Sequence, residues 1–346
     1  WVLVGQQRIA TDMRNLRELA ELATTVSELV HEVQRERGMA AAFLGSGGRD
    51  FADAQAERHS RTDAQIAGFQ QALDRLVDER FDRRLHWRIA DALAQLDQLA
   101  WWRREAVQLQ VTPEVQSARY SAAIYTLIGI VQEMHLLGSG SEMSRAIYAY
   151  VNLMQAKELA GMERALGATY FSSPRIDAVS RQVFVGLTDR QAHFMEQFRF
   201  FAARAQVDFL EQALSDIKAA EIERMRSVVF LRLPGSQAAP SKNTAHWFEV
   251  MSWKIDQIKQ VEDRMSQDLI EATHGAEMSA KQTLLWSGGA ALVALALTLL
   301  FAGALARGCA ASMACAASSK AGRCSSTKRV CTAWASNSGR APRARS

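Results

Sequence analysis

Glu36-Arg-Gly-Met-Ala-Ala-Ala-Phe43 returns 127 residues later as Glu163-Arg-Ala-Leu-Gly-Ala-Thr-Tyr170. Each copy reads Glu-Arg, a small residue, an apolar residue, two further small residues and, at the eighth position, an aromatic. The match continues downstream, because Thr62-Asp63 follows the first Glu by 26 residues and Thr188-Asp189 follows the second by 25. Self-similarity at a fixed distance marks a repeated structural unit. Here the unit reads as a helix, a short turn rich in Gly or Ser, and a second helix that carries Thr-Asp.

The helical reading comes from the residues upstream of the first copy. Met13, Leu16, Leu19, Ala23, Val26, Val30 and Val33 recur at steps of three and four, which places them on one helix face. This first helix is expected over about 7–44, ending in Gly45-Ser-Gly-Gly48, with Asp50 placed to cap a second helix to about 78. Further helices are expected near 83–110, 113–137, 142–171, 174–203 and 206–233, with a last one from about 244. Four of the five prolines, Pro113, Pro174, Pro234 and Pro240, fall at these breaks, where a missing amide hydrogen costs least. With 5 Pro and 20 Gly in 346 residues, the chain lacks the composition of a strand-and-turn protein. The expected fold class is all-α, with long antiparallel helices in two bundles plus a C-terminal transmembrane helix.

Charge is unevenly spread. Residues 307–346 hold eight Lys and Arg and no Asp or Glu, which leaves 33 basic residues against 37 acidic ones in the remainder. The net charge of +4 therefore reports a basic tail on an acidic body. All four cysteines lie in that tail at spacings that do not suit zinc. The tail is expected to be disordered and cytoplasmic, since it has no apolar period. Residues 283–306 form 24 uncharged positions, a helix of roughly 36 Å, long enough for a bilayer. With the basic residues after it, this run predicts a span with the tail inside and residues 7–282 outside. The opening Trp1-Val-Leu-Val-Gly5 reads as the remnant of a first span over 1–6. These features together predict a receptor fragment in a bacterial inner membrane, its sensor domain periplasmic.

Arg37 extends the stripe Val26, Val30, Val33 by four residues and so points into the bundle. A buried guanidinium needs an anion. Ala40 and Ala41 follow Arg37 by one turn, and Gly167 and Ala168 follow Arg164, so each arginine is expected to have space beside it. Two outcomes are open on spacing alone. Either each arginine pairs with a carboxylate such as Glu36, Glu163 or Asp189 and serves structure, or the pair holds a small planar anion through the guanidinium fork.

Leu29-Val-His-Glu-Val-Gln-Arg-Glu-Arg-Gly-Met-Ala-Ala-Ala-Phe-Leu-Gly45 resembles the hallmark of the nitrate- and nitrite-sensing (NIT) domain family around Gln-x-Glu-Arg-Gly. Lys157-Glu-Leu-Ala-Gly-Met-Glu-Arg-Ala165 is similar to that family's second motif, and Trp247-Phe with Lys254-Ile-Asp256 to its last helix. The resemblance covers roughly 15–265. It implies two helical bundles that hold nitrate or nitrite between helices, joined to histidine kinases, chemotaxis receptors, cyclases or antiterminators. By motif position it implies ligand contacts at Arg37 and Arg164, with Lys254 as a third in a place where an arginine would be usual. The partners expected are nitrate or nitrite, the lipid bilayer and a second copy in a homodimer, with no nucleic acid, because the body is acidic. The alternative is an extracytoplasmic helical interaction module without a small ligand.

No enzymatic signature emerges. Glu271-Ala-Thr-His274 has Glu-x-x-His spacing, but a di-iron site needs two such copies. Haem-attachment and phosphate-loop motifs are missing from the sequence, so no cofactor or metal is expected. Trp101-Trp102 and Trp87 read as packing at a bundle end.

Overall fold

The computed structural model describes residues 2–49, 51–76, 83–134, 141–172, 178–231 and 244–320, and these are helical nearly throughout. The elements are α1 (Val2–Gly45), α2 (Gln55–Arg75), α3 (Arg83–Leu96), α4 (Leu99–Val107), α5 (Pro113–Met134), α6 (Ser141–Ser172), α7 (Ala178–Phe201), α8 (Arg204–Ala213), α9 (Ile217–Leu231) and α10 (Thr244–Lys320). The described residues fall into two units, residues 7–280 and residues 2–6 with 281–320.

Within the 7–280 unit the duplication is larger than the repeated hairpin. In each half, a long helix (α1 or α6) is followed by a return helix (α2 or α7), a third helix broken in two (α3 and α4, or α8 and α9) and a fourth (α5 or α10). Sequence reading gives the third helix as one piece in both halves. The chain instead turns at Asp97 and Gln98, and again between Leu214 and Asp216. At the second break Asp216 accepts the Lys218 amide at 2.9 Å through Oδ1, a side-chain cap for the helix that follows. The turn after α1 falls where its glycines require it: Gly47 and Gly48 have φ of +67° and +84°, the left-handed region that glycine enters without steric cost. Asp50, expected as a cap, lies outside the described residues, and α2 begins after Ala54 without a side-chain cap.

Index pairing across the helices fixes their directions. Gln34 meets Glu158, the Arg37 side chain meets Gly161 and the Arg164 side chain meets Gly38, so α1 and α6 run parallel. Both run against α10, since Ser27 and Lys157 reach Glu262 while Arg164 reaches Ser252. α6 and α7 form an antiparallel pair, from Tyr148 stacked on Phe201 to Tyr170 beside Phe184. The α1 stripe is buried as its spacing requires, with Val26, Leu29, Val30 and Val33 fully enclosed. Trp102 packs edge-on to Tyr120, while Trp101 lies partly in solvent under the Arg119 guanidinium.

α10 continues without a break to Lys320, so residues 307–320 are helical rather than the disordered tail expected, and the rest of the tail lies outside the described residues. Its Lys281–Ala314 segment is the expected apolar C-terminal helix, long and apolar enough by length and composition to cross a membrane, with its side chains exposed.

Gly167 and Gly186 separate two kinds of helical glycine. A Cβ at Gly167 would stand 2.2 Å from Nε1 of the fully buried Trp247, whereas one at Gly186 would meet nothing within 4 Å. Gly167→Ala is expected to lower stability by about 1–3 kcal/mol through overpacking. Gly186→Ala should raise it by about 0.5–1 kcal/mol from helix propensity. Denaturant midpoints followed by circular dichroism check both signs.

Candidate functional site

The two Glu-Arg pairs lie at corresponding turns of α1 and α6, and each glutamate is gripped by an arginine from the third helix of its own half. Arg103 on α4 donates from Nε to Glu36 Oε1 at 2.8 Å and from Nη2 to Oε2 at 2.9 Å. Arg226 on α9 donates from Nε to Glu163 Oε1 and from Nη2 to Oε2, both at 2.6 Å. Paired bonds of this kind are the strong form of a carboxylate contact. Tyr120 adds an O–H bond of 2.6 Å to Glu36, and Gln191 an N–H bond of 3.1 Å to Glu163. Burial alone would raise the Glu36 carboxyl, but Arg103, Thr62 and Tyr120 hold it below its ordinary range. These glutamates, offered by the sequence as partners for Arg37 and Arg164, are already taken.

The neighbouring arginines face the other way, into the seam between α1 and α6. Arg37 is buried and donates to Ser121 Oγ on α5 at 2.6 Å. It also grips Glu158 of α6, from Nη1 to Oε1 and from Nη2 to Oε2 at 3.0 Å. Arg164, half-buried, donates to Ser252 Oγ on α10 at 2.8 Å and lies over the Phe248 ring, 4.5 Å from its centroid. Ser121 and Ser252 occupy corresponding places on the fourth helices, so the two hydroxyl contacts are one contact repeated.

The resemblance between the halves stops at the carboxylate. Among the described residues no Asp or Glu forms an ion pair with Arg164; Asp256 acts on it only through its charge. The residue that corresponds to Glu158 by the 127-residue shift is His31, which cannot supply one. Burial, with the like charge of Arg37 next in weight, holds the Arg164 guanidinium down to about 10. Space for the two side chains comes from two glycines. A Cβ at Gly161 would stand 3.0 Å from Arg37 Nη2, and one at Gly38 would stand 3.3 Å from Arg164 Nη2. The room expected at Gly167 is instead filled by Trp247, whose Nε1–H bonds the Arg164 carbonyl at 3.0 Å.

The structure therefore brings Arg37 and Arg164 together and sets Lys254 apart. Lys254 donates to Gln191 beside the Glu163–Arg226 pair, and burial with the Arg226 charge brings its ammonium down to about 8. Sequence reading missed Glu158, Arg103, Arg226, Ser121 and Ser252. The repeat would have exposed the last four once the third and fourth helices were aligned, at shifts of 123 and 131 residues. Glu158 has no counterpart, and a search for repetition passes over it. Groups of His, Cys, Asp and Glu able to hold a metal ion do not occur among the described residues.

Comparison with known proteins gives three findings. The family described as "Nitrate and nitrite sensing" matches residues 28–270. The "Nitrate regulatory protein" of Klebsiella oxytoca is 30% identical over 273 residues, 79% of this chain and 67% of that protein. The solved structure of the NasR transcription antiterminator superposes with a TM-score of 0.72 at 28% identity, covering 82% of this chain and 80% of that one.

Similarity to a nitrate regulatory protein and to a transcription antiterminator overturns the reading of a membrane-bound receptor fragment. Antitermination acts on the transcription machinery, where RNA is made. The placing of residues 7–282 outside an inner membrane, the bilayer as a partner and the exclusion of nucleic acid are corrected with it. The length and composition of residues 283–306 measure apolarity and do not identify what covers it. An acidic body likewise describes only its own surface.

His31 yields a test of the seam. Burial, and after it the charges of Lys157, Lys259, Arg35 and Arg58, push its imidazole down to about 2, so it is neutral in the fold and takes a proton only on unfolding. A base whose folded pKa is depressed contributes stability above its unfolded value, near 6.5, that is lost as pH falls below it. Stability should therefore drop by up to about 1.4 kcal/mol per pH unit from His31 between pH 6.5 and 4.5. His59 is shifted in the same direction and adds to the slope. In urea unfolding across that range, His31→Gln should show a shallower dependence than the parent.

Proposed function

This chain belongs to the nitrate- and nitrite-sensing family, and we propose that it is a regulatory sensor that binds nitrate or nitrite between α1 and α6 through Arg37 and Arg164, without catalysing a reaction. The observation that carries the reading is Arg164. A guanidinium drawn out of water normally acquires a carboxylate, and this one has a hydroxyl, an aromatic face and a second arginine close by. Such a site carries less negative charge than positive. Nitrate supplies one charge spread over coplanar oxygens, which accept paired hydrogen bonds from a guanidinium edge while offsetting the repulsion between two cations. Lys254, tied to Gln191 beside Glu163, is more remote from the pair and is proposed as an outer contact at most.

One observation favours the reading without a ligand: Glu158 already satisfies Arg37. That reading leaves Arg164 unexplained.

Calorimetric titration of the 346-residue chain with nitrate and nitrite tests the proposal. Arg164→Ala and Arg37→Ala should each weaken nitrate binding by about ten- to 150-fold, the worth of one charge-assisted contact. Arg37→Lys should weaken it too, since an ammonium lacks the planar fork. Unchanged affinity in the double alanine variant, with helical content intact by circular dichroism, would place the ligand elsewhere.

A further inference from the structure

Glu158 is fully buried, and its two oxygens meet Arg37 in the paired geometry that a planar oxyanion would adopt on the same guanidinium edge. Gln34 on α1 adds a third bond, Nε2 to Oε2 at 2.9 Å, and leaves its own buried Oε1 without a hydrogen-bond partner. A carboxylate and a nitrite present nearly the same bent pair of acceptors. On Arg37, Glu158 occupies the place that the external anion would take.

We propose that Glu158 is the resident counter-anion of the arginine pair, which an incoming oxyanion must displace from Arg37, and that its charge restricts the site to a single monovalent anion. The proposal rests on the reading of Arg37 and Arg164 as the residues that hold the ligand. Charge counting gives the restriction. Asp256 and Arg35 both act on Arg164 through their charges and offset each other, so two guanidinium cations and the Glu158 carboxylate leave a single net positive charge, which one nitrate or nitrite neutralises. A divalent oxyanion such as sulfate would leave a buried excess of negative charge next to Glu158, and like charges so confined repel strongly. The second half lacks this internal anion because its corresponding residue is His31, so Arg164 is the open end of the site and Arg37 the occupied end.

Displacement has a mechanical side. Glu158 belongs to α6, while Arg37 and Gln34 belong to α1, so the three bonds on this carboxylate tie two parallel helices from different halves of the duplicated fold. An anion that takes over Arg37 loosens that tie and substitutes one between the two arginines. Occupancy thereby becomes a change in how α1 is held against α6. A ligand can shift such an equilibrium only by its difference in affinity for the two arrangements, and competition with Glu158 supplies that difference.

Glu158→Gln keeps the shape and removes the charge. In titrations of the whole chain with sodium nitrate, sodium nitrite and sodium sulfate, the variant should bind nitrate about tenfold tighter or better, since the ligand no longer competes with a carboxylate. It should also bind sulfate, which the parent should refuse. Without added anion the variant should melt at a lower temperature than the parent, and nitrate should raise that temperature by more than it raises the parent's. A variant that is unfolded in anion-free buffer and recovers its helical circular dichroism on adding nitrate gives the same support. Nitrate binding equal to or weaker than the parent's, or an unfolded variant that nitrate does not rescue, would overturn the displacement and leave the arginine site standing. Silence of both parent and variant toward all three anions would overturn the arginine site as well.

Discussion

Two arginines from different halves of one chain are held in the same helix seam, and a guanidinium removed from water has to be neutralised there. Glycine makes the arrangement possible, since at Gly38 and Gly161 a side chain would crowd the opposite arginine. Ordinary bundle packing would fill such a seam with interdigitating apolar residues. Here α1 and α6 give up part of that packing and accept two cations. The surrounding polar residues then divide into those that relieve the charge and those that keep the neighbouring glutamates from doing so.

Arg103 and Arg226 belong to the second group. By gripping Glu36 and Glu163 through paired bonds, they remove the carboxylates adjacent in sequence to Arg37 and Arg164 from the seam. Adjacent residues on a helix point in different directions, and the paired bonds hold each glutamate on the side away from its neighbouring arginine. Sealing the glutamates from the outer helices leaves the seam with less negative charge than positive. The duplicated fold builds this exclusion twice, and the internal anion Glu158 only once. One site of net positive charge emerges from two similar halves because the position that supplies Glu158 to Arg37 in one holds His31 in the other.

The sequence made the helical class legible through the stripe Leu19 to Val33, and the glycine turn at 47 and 48 through residue type alone. It also made Arg37 and Arg164 legible as an inward-facing pair, because the Glu-Arg repeat fixed their turns. The breaks in the third helices were passed over because no proline or glycine marks them, although Asp97 and Ser215-Asp216 are residues that favour caps and turns. Partner identity was hidden too. Helical periodicity reports which face is buried, and it says nothing of which buried residue a long side chain reaches across the seam. The inference from residues 283–306 to a membrane receptor failed at another step, from apolarity to the nature of whatever covers it.

Neighbouring positions on α6 also show what the seam can and cannot do. Lys157 forms an ion pair with Glu262 of α10 at 2.6 Å, both side chains wholly buried, and Ser27 of α1 donates to the same glutamate. Burial lowers the Lys157 ammonium, and Glu262 of α10 is held at once by Lys157 of α6 and Ser27 of α1. This contact fixes α1, α6 and α10 to one another near the middle of α6. Glu158 is the next residue, and its partner Arg37 lies at the end of α1 that runs into the glycine turn. A fixed contact beside an exchangeable one gives the two helices a pivot. Exchange of the anion on Arg37 then acts on the segments beyond Glu158, where Gly38, Gly161 and Arg164 lie, rather than on the whole length of the bundle.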